Sequence, residues 1–307
     1  MINKIATELQ DLSHSLLVKT NEPLNKYTYT KTGGPADIFA VPQTIEEAQI
    51  VVTYAYKNDI PLMVLGNGSN LIIRDGGIRG IVLYLMNLTE ITYKNNTLTA
   101  QTGAAIIDVS REAHKLSLAG LEFACGIPGS VGGALHMNAG AYGGETKDVL
   151  NRALVLTASG ELIELDRQTL EEGASYRHSI IADKNYIVLE ADFLLTPDAE
   201  ETIAAKMANF TEQRESRQPL EYPSCGSVFK RPEGRFVGPM IQEAGLQGHT
   251  IGGVQVSLKH AGFMVNINQG TATDYIDLIA HVQKVIHQNY NVKLEPEVKI
   301  LGEEVEV

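Results

Sequence analysis

Residues 120–144, GLEFACGIPGSVGGALHMNAGAYGG, constrain this chain more than any other stretch, because eight of the twenty-five are glycine and almost none is charged. Glycine is selected where the backbone must take a positive φ or come close to a neighbour with no Cβ in between. Concave runs of N–H groups in such segments bind anions, diphosphates in particular. A flexible linker would share the glycine content, but it would not carry Leu121, Phe123, Ile127, Val131 and Leu135, which favour burial. Two readings therefore stand: a close-packed structural loop, or a cradle for a phosphate-bearing cofactor.

A second glycine segment lies upstream. The strand-like PLMVLG (61–66) runs into Gly66, Asn67, Gly68, Ser69 and Asn70. This resembles a dinucleotide fingerprint but has Leu71 where the third glycine belongs, and no GxxxxGK[ST] occurs, so neither a Rossmann nor a P-loop site is expected. Gly66 to Asn70 read instead as a free-standing phosphate loop.

Composition narrows the function classes. A length of 307 residues suggests about two domains, and a net charge of −12 argues against a nucleic-acid binder. A small anionic ligand stays open, since a local basic cluster suffices for one. Glu8 and Asp11 come too early for a signal peptide, and no apolar run reaches the eighteen or so residues of a membrane span. A cytoplasmic protein is predicted, with no membrane partner. Cys125 and Cys225 lack metal-ligand spacing; reduced thiols are the simpler reading, with a disulfide left open. The eight histidines show no HExxH pattern and no GxSxG elbow is present, so neither a metal site nor a serine hydrolase is expected.

Periodicity predicts an α+β chain. One amphipathic helix is expected over residues 1–20 (Ile5, Leu9, Leu12, Leu16), and another from an N-cap at Thr44, with Glu47 completing a capping box. A helix near 107–118 should end on Gly120 as its C′ residue, and 153–166 should form a hairpin turning at Ser159–Gly160. A polar helix is predicted over 198–216 and a capped one from Thr271 or Thr273 to Tyr290, with an Ile276, Ile279, Val282 and Ile286 stripe. The tail LEPEVKILGEE reads as a strand returning to the body. Between 206 and 235 six basic residues (Lys206, Arg214, Arg217, Lys230, Arg231, Arg235) face four acids, either a solvated face or a site for an anion. Arg177, Ser227 and Glu297 are isolated polar groups in apolar or glycine-rich settings. Physical reading of the residues stops at a nucleotide-type cofactor and a second anionic ligand held by the 200–290 region.

The segments YTKTGGPAD, LGNGSNLIIRDGGIRG, GLEFACGIPGSVGGALHMNAGAYGG, YRHSII, YPSCGSVFKRP, KHAGFMVN and EPEVKILGE, in that order, resemble the UDP-N-acetylenolpyruvoylglucosamine reductases of peptidoglycan synthesis. The likeness runs over about residues 27–303. It implies non-covalent FAD in a two-part binding region of the vanillyl-alcohol-oxidase/PCMH type, followed by a smaller C-terminal α/β domain for the UDP-sugar. The implied parts are residues 1–78 (joined by 295–307), 79–197 and 198–294. The resemblance further implies NADPH as hydride donor, with FAD held by Gly66, Asn67, Gly68, Ser69, Asn70, Gly126, Pro128, Gly129, Ser130, Gly133, Asn138, Gly140 and Ala141. Arg177 and Glu297 would polarise and orient the substrate carboxylate, and Ser227 would deliver a proton, with Lys230 assisting. Tyr176, Arg217, Lys230 and Arg231 would contact substrate. Arg177 and Ser227 are too close in sequence to admit the tyrosine-bearing segment of a longer subgroup, so the chain resembles the shorter one. The longer subgroup has Asn where this chain has Arg231. A flavin oxidase of the same fold and a non-catalytic nucleotide-sugar binding module are the alternatives.

Overall fold

Thr44 starts a helix as its spacing predicts: its hydroxyl accepts from the Glu47 N–H, and Ala48, Val51, Val52 and Ala55 are buried along Ile45–Lys57. The Glu47 carboxylate also takes a hydrogen bond from the Thr44 main chain and does more than cap. It accepts from the Gln43 N–H and from the Ser13 and Ser15 hydroxyls, so it fastens the N-terminal segment as well. Those serines also mark where the single helix expected over 1–20 breaks. The helix is Ile2–Leu12, and Leu17–Pro23 is a strand. Leu9 and Leu16 are both buried, Leu9 in the helix and Leu16 in the connection just before the strand.

The protein is described by a computed structural model over residues 2–305. Contacts divide the chain into two compact units: Met1–Thr20, Ile38–Asn67 and Gly80–Arg214 form the first, and Asn21–Asp37, Gly68–Arg79 and Glu215–Val307 the second.

The first unit holds a five-stranded antiparallel sheet in the order Leu162–Asp166, Leu150–Leu156, Ile187–Leu194, Thr97–Gln101, Ile91–Lys94. Alternation sends Ala153, Val155, Ala191 and Phe193 inward, and a register shift adds Val188, against the helices Ile106–Lys115 and Val131–Met137. Arg152 stands on the same sheet among Glu164, Glu190 and Asp192. The hairpin at 153–166 forms as predicted, with Leu156 opposite Leu162 and Gly160 at φ +86°. From the four-stranded sheet in the order Leu17–Pro23, Pro35–Val41, Ile78–Tyr84, Leu62–Leu65, the first-unit residues Ile38, Ala40, Ile81 and Leu83 enter a second core.

Two expectations fail in this unit. The helix expected to end on Gly120 caps at Leu116, because Leu118–Ala119 pairs as a strand with Thr196–Pro197. The glycine stretch 120–144 is not loop throughout: Val131–Met137 is a helix, with Ser130 as N-cap and Asn138 as a left-handed C-cap. Gly132 and Gly133 each oppose a helix by roughly 1 kcal/mol. Burial of Val131, Ala134 and Leu135 overrides that preference.

In the second unit, an antiparallel sheet in the order Ser224–Ser227, Phe263–Asn266, Val254–Val256, Thr250–Ile251 packs on the helix Ala272–Tyr290. Thr271 and Asp274 form a reciprocal capping box there. The buried face is Ala272, Tyr275, Leu278, Ile279, Val282 and Ile286; the expected Ile276 is only half-buried, and Tyr275 takes the core position beside it. The returning tail forms the strand Lys299–Leu301, parallel to Leu71–Ile73.

Candidate active site

Within the first unit the two glycine segments meet. Asn67 donates its side-chain amide to the Pro128 carbonyl at 2.9 Å. A Cβ built on Gly66 would lie 2.7 Å from Ser130 Oγ, so only glycine permits this approach. The Arg214 side chain crosses Gly126, with Cδ 2.7 Å from where a Cβ would sit. Residues 129–132 run beside 102–106: the Val131 N–H bonds the Ala104 carbonyl and the Gly132 N–H the Thr102 carbonyl, both at 2.9 Å. Gly133 N–H is taken by Ser130 Oγ at 3.3 Å. Among the described residues, the N–H groups of Gly126, Gly129 and Ser130 meet no protein acceptor, and neither do those of Gly68 and Ser69 in the second unit. These are open main-chain donors in a glycine-rich setting.

Arg177 sits on a tight turn of the first unit. Ser175 and His178 exchange main-chain hydrogen bonds at 3.1 Å each, which leaves Tyr176 and Arg177 at the tip. Arg177 has φ +56°, a left-handed conformation that costs a non-glycine residue roughly 1–2 kcal/mol. Its guanidinium donates to the Gly140 carbonyl at 3.2 Å and lies 4.9 Å over the half-exposed Tyr176 ring. Asn138 is 2% exposed, and its amide is engaged by Glu145, the Ser175 carbonyl and the Lys147 N–H. Gly140 and Ala141 form a two-residue strand paired with Gly144–Glu145.

In the second unit, Ser227 is exposed at the end of a strand whose register shifts between Ser224 and Ser227, with Gly226 at φ +76°. Its neighbour Val228 is buried and accepts the Glu297 N–H at 2.8 Å. Asn70 joins the same place: its amide donates to the Glu297 carbonyl at 3.2 Å, and its own carbonyl accepts from Lys299 N–H at 3.1 Å. Ser227, Glu297 and the end of the first glycine loop are thus gathered by main-chain bonds. Lys230 pairs with Glu295 at 2.7 Å, the Arg231 guanidinium lies 4.3 Å over Phe236, and Arg217 is exposed.

The basic run splits between the units. Lys206 and Arg214 belong to the first, where Lys206 pairs at 3.1 Å with Glu122 of the glycine segment. Arg217, Lys230, Arg231 and Arg235 belong to the second. Sequence reasoning missed Thr102, which closes on Gly132, and Ser179, which caps the turn after Arg177 and donates to the His136 carbonyl at 2.8 Å. Ser179 was legible as an N-cap before Ile180; Thr102 gave no signal. Among the described residues no group of three or more His, Cys, Asp or Glu could hold a metal ion, and no helix is long and apolar enough to cross a membrane.

The fold places the chain in the class built on a flavin-nucleotide-binding module: residues 36–166 match the family model described as FAD binding domain. Residues 218–301 match the model described as UDP-N-acetylenolpyruvoylglucosamine reductase, C-terminal domain. The chain is 62% identical over 296 residues to the UDP-N-acetylenolpyruvoylglucosamine reductase of Listeria welshimeri, covering 96% of this chain and 99% of that one. It is 57% identical over 304 residues to the Staphylococcus aureus (strain JH9) enzyme of the same name, covering 99% and 98%. The crystal structure of the corresponding reductase from Thermus caldophilus superposes with a TM-score of 0.79 at 32% identity, over 93% of this chain and 98% of that one. This chain belongs to the UDP-N-acetylenolpyruvoylglucosamine reductase family.

Proposed function

We propose that this protein uses NADPH and non-covalently bound FAD to reduce the enolpyruvyl ether of UDP-N-acetylenolpyruvoylglucosamine to UDP-N-acetylmuramate, a cytoplasmic step of peptidoglycan synthesis. The observation that carries the proposal is the near full-length, 62% identity to a reductase of that name. The loops fit the cofactor: Gly68, Ser69, Gly126, Gly129 and Ser130 offer open N–H groups of the kind a diphosphate takes up. Gly66, Asn67, Asn70, Pro128, Gly133, Gly140 and Ala141 shape the two segments around them. FAD, when bound, supplies the hydride chemistry between NADPH and the terminal vinyl carbon of the substrate.

The chain's own residues manage charge and protons. Arg177 stabilises the negative charge that the substrate carboxylate gathers as the carbon beside it becomes enolate-like. Glu297 orients that carboxylate. The Ser227 hydroxyl gives its proton to the carbon; a hydroxyl is a weak acid, and a carbon-centred enolate is basic enough to take the proton from it. Lys230 supports Ser227 from three residues on, and Tyr176, Arg217 and Arg231 bind the UDP-sugar. With Arg231 in place of Asn, the contact there is ionic.

Anaerobic stopped-flow spectroscopy tests this reading. NADPH should bleach the flavin absorbance and the enolpyruvyl substrate should restore it. Ser227→Ala should leave bleaching intact while slowing restoration roughly 10²–10⁴-fold. Wild-type rates in both halves would remove Ser227 from the mechanism, and a colourless protein would remove the flavin.

A further inference from the structure

We infer that Asn138 is a positioning residue for Arg177, setting the turn on which the guanidinium is carried. The inference rests on the proposed role of Arg177 and adds to it a residue whose side chain is directed at protein, not at cofactor or substrate.

Three observations carry it. Asn138 ends the helix Val131–Met137 in the left-handed conformation (φ +42°), a place that glycine would fill equally well. Capping alone therefore gives no reason for a side chain there. That side chain is nonetheless buried and spent in full: Nδ2 donates to the Ser175 carbonyl at 3.0 Å and to Glu145 Oε2 at 3.1 Å, while Oδ1 accepts from the Lys147 N–H at 3.0 Å. Ser175 is one of the two residues that close the Tyr176–Arg177 turn. The same stretch also meets the far ends of the turn. Arg177 reaches the Gly140 carbonyl, two residues past Asn138, and Ser179 donates to the His136 carbonyl, two residues before it. A left-handed arginine persists only where its surroundings over-determine it. This frame contributes to its restraint, and within it the Asn138 side chain joins the helix end to the turn's closing residue.

Asn138→Gly deletes the amide and keeps the backbone conformation. The rate of flavin restoration by substrate should fall about ten- to a hundredfold, the scale expected when a catalytic group is displaced by about an ångström. In an Arg177→Ala background the same substitution should change that rate less than about twofold, because residues acting as a unit are non-additive. Bleaching by NADPH reports the flavin site separately and should be spared by Asn138→Gly. Equal losses in both backgrounds, or no loss in either, overturn the inference. Loss of bound flavin would return Asn138 to the cofactor site and overturn it too. If Arg177→Ala alone leaves restoration at the wild-type rate, the role of Arg177 fails first, which is a distinct result. Should Asn138→Gly not fold, Asn138→Asp keeps the acceptor for Lys147, removes the donor to Ser175, and carries the same expectation.

Discussion

The contact between the two glycine segments can be tested by a change of sign. Gly66→Ala places a Cβ 2.7 Å from Ser130 Oγ and 3.8 Å from Ser130 Cβ. The first distance forces a shift; the second is ordinary contact. Gly66 is not among the positive-φ residues, so alanine is compatible with its backbone and gains about 0.4–1 kcal/mol by restricting the unfolded chain. In the wild type the methyl must displace the hydroxyl, which gives up its bond to Gly133 N–H at a cost of about 1 kcal/mol. Crowding adds roughly 1–3 kcal/mol. Net destabilisation of about 1–3 kcal/mol follows. In a Ser130→Ala background the obstacle is gone, and the same Gly66→Ala should stabilise by about 0.4–1 kcal/mol. The chain has no tryptophan, so urea unfolding is best followed by far-ultraviolet circular dichroism across the four proteins of the cycle. A cost for Gly66→Ala that is equal in both backgrounds, within about 0.5 kcal/mol, would refute the contact.

Two further predictions concern ionisable groups. Burial raises the pKa of Glu47, but hydrogen bonds from Gln43, Ser13, Ser15 and Thr44 outweigh it and hold the carboxyl below its ordinary value. A depressed folded pKa means the stabilisation is present above the unfolded value, near pH 4, and is lost as pH falls through the folded one. Glu47→Gln should therefore cost about 1–3 kcal/mol at neutral pH and flatten the acid limb of a stability–pH curve; an unchanged limb would count against it. For the cysteines, both free, burial pushes the Cys225 thiol up to about 12 and raises Cys125 less far. A thiol reagent at neutral pH should leave Cys225 unmodified until the protein is denatured, while half-buried Cys125 reacts slowly; mass mapping that finds Cys225 labelled in the native protein would contradict this.

What could be read from sequence follows how local the cause is. Thr44 and Thr271 cap helices through bonds spanning three residues, so short-range pattern suffices. The helix Val131–Met137 was hidden because its two glycines vote against it locally, and the pairing with 102–106 that decides the matter lies far off in the chain. The same holds for the break at Ser13–Ser15, set by a carboxylate more than thirty residues away. For the candidate site residues, types in recognisable motifs pointed to Arg177, Ser227 and Glu297, but not to what holds each of them. The Ser227–Glu297 neighbourhood depends on a main-chain bond through Val228, which no side-chain pattern encodes. Asn138 shows the opposite: its place in a glycine run suggested a ligand contact, while its amide faces protein on every side.

The parallel pairing of Lys299–Leu301 with Leu71–Ile73 has a temporal consequence. Asn70 is fastened to Glu297 across 227 residues, so the phosphate loop cannot take its final shape until synthesis has passed that point. Local elements such as the 153–166 hairpin can form on a growing chain, whereas this strand closes a long loop and meets its entropy late. On the proposed function, flavin capture through that loop is then a closing event of maturation, and a nascent chain halted before residue 297 would carry the glycines of both segments yet lack the tether on Asn70.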